Sequence, residues 1–326
     1  MRQIKYFKSK KIKSLGYIIC FIIVLYNPQL TFSYAYDGLK QWATCMVPTL
    51  FPFMMISSMM IYGGADIELG RLLSPLLRKV FPFSLYGLYA IFIGFLCGFP
   101  MGAKTVCDLY SKSKITRSEA EALLGFCNNI GPSFFFGIIP PILKTYGYTN
   151  IIPFTIGMYG IPLLYGMLLG IIYKKRMKKH NKQPNNDNIY PDISENCFQS
   201  YSLSEIFRMS CFDNTQALII LGGYITFMNA CRLLFDMFPV SAAQQAVGSG
   251  FLEIISGIHI LYLAPIQNQW KIFWIMTALN FSGISCMLQT SCFLSKEQLS
   301  LKKYFFHKTA ITLIACLYYY VILFFL

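Results

Sequence analysis

The chain has 326 residues, of which 55% are hydrophobic and 13% charged, and its mean hydropathy is +0.50. A soluble domain carries about 25% charged residues, so this composition excludes an ordinary water-soluble enzyme, and it is too apolar for intrinsic disorder. The net charge of +14 sits in clumps, Arg2 to Lys13 and Lys174 to Lys182; this is the pattern of basic loops flanking membrane spans, not of a nucleic-acid-binding face.

The segment MRQIKYFKSKKIK leads into LGYIICFIIVLYNP. It reads as an uncleaved first span with a cytoplasmic N-terminus. The alternative is a secretory signal with Ser33-Tyr34-Ala35 as its small-x-small site, but the many later spans favour the first reading. A second span is expected from about Met46 to Tyr62, broken at Pro48 and Pro52. Residues 65–82 alternate Leu pairs with Arg71, Arg78 and Lys79, as a cytoplasmic interfacial helix does. The next apolar stretch is interrupted by Gly94, Gly98, Pro100 and Gly102. A re-entrant hairpin turning at Gly98-Phe-Pro-Met-Gly keeps Lys112, Lys114 and Arg117 in the cytoplasm, whereas a full crossing puts them outside.

Ser118 and Glu121 form a capping-box pattern for a helix that continues through LLGFCNNIGPSFFFGIIPPIL to the outside. Residues 148–173 return, and the run KKRMKKHNK marks that end as cytoplasmic. The polar stretch 177–200 buries nothing and reads as a linker. An amphipathic stretch begins at Leu203, followed by a span at 214–235 and an Ala/Gly-rich segment at 241–263. An interrupted apolar stretch at 269–294 and a last span at 305–326 complete the chain. The expected organisation is an N-terminal span (1–35), a first half (36–173), a linker (174–210) and a second half (211–326).

The two halves share an order of elements. Leu109-Tyr-Ser-Lys-Ser-Lys-Ile-Thr lies opposite Phe293-Leu-Ser-Lys-Glu-Gln-Leu-Ser, each after a Gly-interrupted apolar segment and before a hydrophobic span. Gly63-Gly64 and Gly222-Gly223 precede these regions in turn. The topology then makes the second copy inverted, and paired interrupted segments point to a transporter-like binding centre. Against it, Lys296, Lys302 and Lys303 come out on the external side, contrary to the positive-inside bias.

Eleven cysteines include no CxxC pair, and His180, His259 and His307 are far apart, so no metal site or cofactor is expected. There is no Gly-x-Ser-x-Gly elbow, HExxH or P-loop, and the reading is non-enzymatic. The run Met54-Met55 and Met59-Met60 reads as packing rather than copper chemistry.

Several motifs together carry a resemblance. They are Val47-Pro-Thr-Leu-Phe-Pro-Phe, Gly98-Phe-Pro-Met-Gly-Ala-Lys, Phe126-Cys-Asn-Asn-Ile-Gly-Pro-Ser-Phe, Glu253-Ile-Ile-Ser-Gly, and Ser282-Gly-Ile-Ser with Gln289. From about Tyr36 onward the chain resembles the YlbJ-type sporulation integral membrane proteins, of the wider nucleoside-recognition (Gate) group. Ser282-Gly283 departs from the two glycines more usual there. The resemblance implies an all-α polytopic protein of the bacterial cell membrane, two Gate-like halves and a role in sporulation. It implies no ligand for this branch.

The candidate ligand-binding residues are Gly98, Pro100, Gly102, Lys104, Asn128, Asn129, Glu253, Ser282 and Gln289. Lys104 and Asp108 share a helical face, either as a charged intramembrane site or as a self-neutralising i,i+4 pair. Arg232 and Asp236 repeat the spacing and read as an interfacial pair. Asn128 and Asn129 bind a polar ligand or cross-link helices. Glu253 is a cation or proton coupler, or interfacial beside Ser249 and Ser256; Gln289 packs or binds. The expected partners are the lipid bilayer, a small polar solute and, in a homo-oligomer, further copies of the chain, with no nucleic acid. Two functions stand: a small-solute transporter, or a non-transporting scaffold for spore-envelope assembly.

Overall fold

The computed structural model describes residues 14–180 and 201–325, apart from Cys20 and Ile23. An apolar helix, Ser14–Tyr26, is followed by Asn27, whose side chain accepts from Leu30 N at 3.1 Å, with Pro28 in the first helical turn. This cap starts helix α1, Pro28–Gly63. The second span is therefore longer than expected and takes in Ser33-Tyr34-Ala35. It is also unbroken. A π-turn at Trp42–Met46 precedes Pro48, and Pro52 lies within continuing helix. A wider turn can absorb the missing donor and the ring of proline without ending the helix.

Gly64, at φ 79, ends α1 and starts α2 (Ala65–Leu77), which packs on α3 (Leu85–Cys97). The turn Gly98-Phe99-Pro100 reverses the chain into α4 (Met101–Ser111), which packs beside α3. At 1.5 Å per residue these helices are ~20 Å and ~17 Å long, too short to cross ~30 Å of hydrocarbon. After α4 come α5 (Arg117–Leu124), a non-helical stretch to Gly131, and α6 (Pro132–Thr145). Thr116, not Ser118, caps α5, accepting from Glu119 N at 3.2 Å. Glu119 does not close a capping box; its carboxylate accepts from Ser84 N at 2.8 Å and ties α5 to the start of α3.

Helix α7 (Ile152–Met177) contains a second π-turn, Ile156–Gly160, before Pro162. It continues to His180, and α8 (Leu203–Ala230) opens with a capping box between Ser202 and Glu205. The expected linker 174–210 is thus helical at both margins, and its centre, 181–200, lies outside the described residues. Next come α9 (Leu233–Met237), α10 (Ala242–Leu252) and α11 (Ile254–Leu263), the last two packed side by side about Glu253. Helices α12 (Asn268–Phe281) and α13 (Gly283–Lys296) are separated at Ser282 and Gly283, with φ 75 and 71. Helix α14 (Leu301–Phe324) closes the chain.

Among the described residues, five stretches are long and apolar enough to cross a membrane: Pro28–Gly63, Ile152–Met177, Leu203–Met237, Asn268–Lys296 and Leu301–Phe324. This is a multi-pass helical membrane protein.

Contacts define two ends of the bundle. At one, Lys114 pairs with Asp66 at 2.6 Å, Lys112 lies 3.0 Å over the Tyr62 ring, and Tyr62 meets Tyr201. Arg117 reaches Gln298 O at 2.8 Å and Lys303 pairs with Glu121 at 2.5 Å. At the other end, Tyr34 donates to Asp236, Tyr146 donates to Tyr262 O, and Trp270 packs on Phe324. Residues 296–303 therefore share an end with 112–121, so Lys296, Lys302 and Lys303 lie at the same end as Lys112, Lys114 and Arg117. Burial at the first end holds the Asp66 carboxyl above the usual carboxylate range, with Lys114 opposing the shift.

The match between 109–116 and 293–300 has a local cause. After α4 and α13 a left-handed residue follows the helix end (Ser113, φ 57; Gln298, φ 54). Lys114 N then bonds Leu109 O and Leu299 N bonds Leu294 O, both at 2.9 Å. Each is a Schellman-type stop leading to a hydroxyl cap, Thr116 or Ser300. The larger elements differ: α3 and α4 lie side by side, whereas Asn268–Lys296 is a through-going stretch broken in the middle.

Candidate functional site

Two junctions occupy the middle of the bundle. In the first, the turn between α3 and α4 lies on the non-helical stretch between α5 and α6. A side chain on Gly98 or Gly102 would overlap the backbone at Gly131 or at Cys127, so both glycines are required by close approach. Phe99 N donates to Asn129 O at 2.6 Å. Asn128 Oδ1 accepts from Ala103 N at 3.4 Å, and its Nδ2 donates to Thr290 Oγ1 at 3.1 Å and Tyr304 OH at 2.9 Å. Asn129 Nδ2 donates to Phe126 O at 2.5 Å. One buried residue thus joins four elements, since the unwound stretch leaves polar groups that must find partners.

Lys308 of α14, 3% exposed, also belongs to this junction. Its Nζ donates to Asn128 O at 2.9 Å and Asn129 Oδ1 at 3.4 Å. The sequence reading missed Lys308, Tyr304 and Thr290. A lysine inside the run from Leu301 to Phe324 was the available signal, because intramembrane charges are costly and usually functional.

The second junction sets the turn between α10 and α11 against the break between α12 and α13. A Cβ on Gly283 would stand 3.5 Å from Phe251 O and 3.6 Å from both Leu252 O and Ile254 N. Glu253, 2% exposed, caps α11, accepting from Ile255 N at 3.2 Å and Ser256 N at 2.8 Å. It is a buried cap. Ser282, 1% exposed, caps nothing, and among the described residues its hydroxyl has no hydrogen-bond partner. Gln289 donates to Ser285 Oγ at 3.1 Å within α13. Helix α13 packs directly on α4, so the two junctions are adjoining.

Lys104, Arg232 and Asp236 lie outside the two junctions. Lys104 pairs with Asp108 at 2.5 Å and donates to Ser58 Oγ at 3.1 Å, joining a cluster with Asn214 on α8. Arg232 and Asp236, expected to pair, instead share Tyr34: the guanidinium lies 4.4 Å from its ring centre and the carboxylate accepts from its hydroxyl at 2.9 Å. Pro100 is the N-cap residue of α4.

A cavity of about 410 Å³ lies between α1, the two turns (Cys97 and Phe99; Ile254 and Ile255) and the start of α6 (Gly131 and Ser133). Its walls are mostly apolar, contributed by Pro48, Pro52, Phe53, Leu96, Phe134 and Ile138, with Thr49 and Ser133 supplying hydroxyls. Asn128 and Lys308 are hydrogen-bonded to protein groups.

With this geometry in hand, the chain is similar to one curated protein, the sporulation integral membrane protein YlbJ of Bacillus subtilis (strain 168). The two are 23% identical over 310 residues, covering 86% of this chain and 75% of the relative. The two are distantly related. No family model and no solved structure matches the chain.

Proposed function

We propose that this chain is a Gate-type sporulation membrane protein whose two halves are inverted copies forming a transporter-like core for a small polar solute. The observation carrying this reading is the recurrence of one arrangement: in each half a tight turn between two packed helices lies on the break between the next two helices. Helices α3 and α4 enter from the basic end, as the Ser84–Glu119 and Lys114–Asp66 contacts indicate. Helices α10 and α11 enter from the other, where Gln245 donates to Asp236 and Tyr146 to Tyr262 O. The counterpart of Gly98–Pro100 is then Glu253, and that of Cys127–Gly131 is Ser282-Gly283. Breaks of this kind at mid-membrane are where secondary transporters bind solute.

The basic end is cytoplasmic by the positive-inside rule. Cysteines introduced at positions 113 and 298 should both resist an impermeant thiol reagent in intact cells; labelling of either rejects the topology.

The functional test is complementation. Deletion should lower the yield of heat-resistant spores with little effect on vegetative growth, and Asn128→Leu should fail to restore it while reaching the membrane in normal amount. The scaffold reading rests on how fully Asn128 is bonded to protein groups. Full restoration by any Asn128 variant that still folds selects it.

A further inference from the structure

We propose that the apolar cavity beside the first turn is a lipid site, holding one acyl chain of an anionic phospholipid whose headgroup lies at Lys271 and His259. The inference is independent of the solute and of whether anything is transported.

The cavity of about 410 Å³ continues into a second of about 250 Å³, which shares Phe134, Ile138 and Ile255 with it and follows the seam between α6 and α11. Phe134, Ile138 and Ile142 wall the seam on α6, and Ile255, Ile258 and Tyr262 wall it on α11. These spacings put each set on one helix face. Helix α6 has 14 residues, ~21 Å at ~1.5 Å per residue, enough to pass through one leaflet of a bilayer with ~30 Å of hydrocarbon. The wall has a gap. A Cβ on Gly137 would meet no group among the described residues within 4 Å, although glycine weakens a helix interior. Gly137, Phe53 and Leu96 on the cavity wall are exposed, so it opens sideways, where the bilayer lies. Lipid tails are as apolar as these walls, and the volume lies in the range of ligand pockets.

The two ends of the seam differ as the two ends of a lipid do. The inner end reaches Phe99 and Gly131 at the first junction and is apolar. At the outer end Tyr146 donates to Tyr262 O at 2.8 Å, and Lys271 Nζ donates to the same carbonyl at 3.2 Å while lying 5.2 Å from the Tyr146 ring centre. Among the described residues Lys271 makes no ion pair. His259, one turn before Tyr262, is exposed and lines the seam. Tyrosines and a lysine at this level form the interfacial belt of a membrane protein, where basic side chains meet lipid phosphates. A phosphate there supplies the anion that Lys271 lacks, and the chain attached to it runs inward along the apolar seam. A soluble partner has no access to that depth.

The test is photo-cross-linking of the full-length protein in phosphatidylcholine nanodiscs. The probe is phosphatidylglycerol with a diazirine on one acyl chain, compared with the same chain on phosphatidylcholine, and adducts are mapped by mass spectrometry. Adducts should concentrate on residues 133–142 and 254–262 by about tenfold over the exposed face of α14 at Leu313, Leu317 and Val321. Gly137→Leu, which fills the gap, should remove that enrichment. Should it not give monodisperse protein, Ser133→Phe, at an exposed position on the same wall, takes its place. Phosphatidylglycerol should be preferred by about fivefold, the effect of one basic residue at an anionic headgroup, and Lys271→Gln should abolish the preference. Adducts spread evenly over the seam and α14, or enrichment that survives the filling substitution, overturn the proposal. So does a cross-link from the seam to a second copy of the chain, which would make the cavity an interface. Enrichment without headgroup preference overturns the anionic lipid.

Discussion

The two junctions at the centre of this bundle solve the same problem in different ways. Each must satisfy the backbone groups freed where helix gives way to irregular backbone, in surroundings without bulk water. The first does so with protein: Asn128 and Asn129 bond to α4, α13 and α14, and glycines bring two backbones into contact. The second is looser. A side chain on Gly283 would stand at ordinary van der Waals distance from its neighbours, Glu253 serves only its own helix, and Ser282 serves none. The first junction is built as a strut, and the second leaves a buried hydroxyl without a partner among the described residues.

This contrast can be broken by substitution. The largest effect belongs to Gly102→Leu, whose side chain would overlap the Cys127 backbone. It should exceed the ~4 kcal/mol of the most damaging single changes, so the protein inserts but yields no monodisperse species in detergent; normal gel filtration would refute the strut. Asn128→Leu comes next, leaving Thr290, Tyr304 and the Ala103 N–H without their partner, at about 2–3 kcal/mol in unfolding free energy. Gln289→Leu, which loses one bond within a helix, should cost only ~0.6 kcal/mol, and an equal loss for both would erase the distinction.

At the second junction the effects are smaller. Glu253→Gln keeps an acceptor for the start of α11 and loses its charge, costing about 1 kcal/mol. Ser282→Gly should stabilise the protein by about 1 kcal/mol, because φ 75 is strained for serine and natural for glycine. Its complementation of spore yield should nevertheless fall if the hydroxyl meets solute. A destabilised Ser282→Gly variant would show that the serine is structural.

Legibility differed between these junctions for the same reason. Gly98, Pro100 and Gly102 mark a turn by residue type, and Asn128-Asn129 before Gly131-Pro132 is conspicuous in an apolar run, so the first junction is readable from one sequence. The second turn is made at Glu253, where neither glycine nor proline stands between Phe251 and Ile255.

The sequence by itself determined that the chain lives in a membrane, that it is helical, and where its backbone is weakened. Those properties depend on composition and on glycine and proline, which act locally. Only the tertiary structure decided that Lys296 to Lys303 share an end with Lys112 to Glu121, that Pro48 and Pro52 sit in one unbroken helix, and that Lys308 meets Asn128 and Asn129. Each of these depends on which helices touch. The partner of a buried ammonium 180 residues away in sequence is set by packing, and no local pattern encodes it.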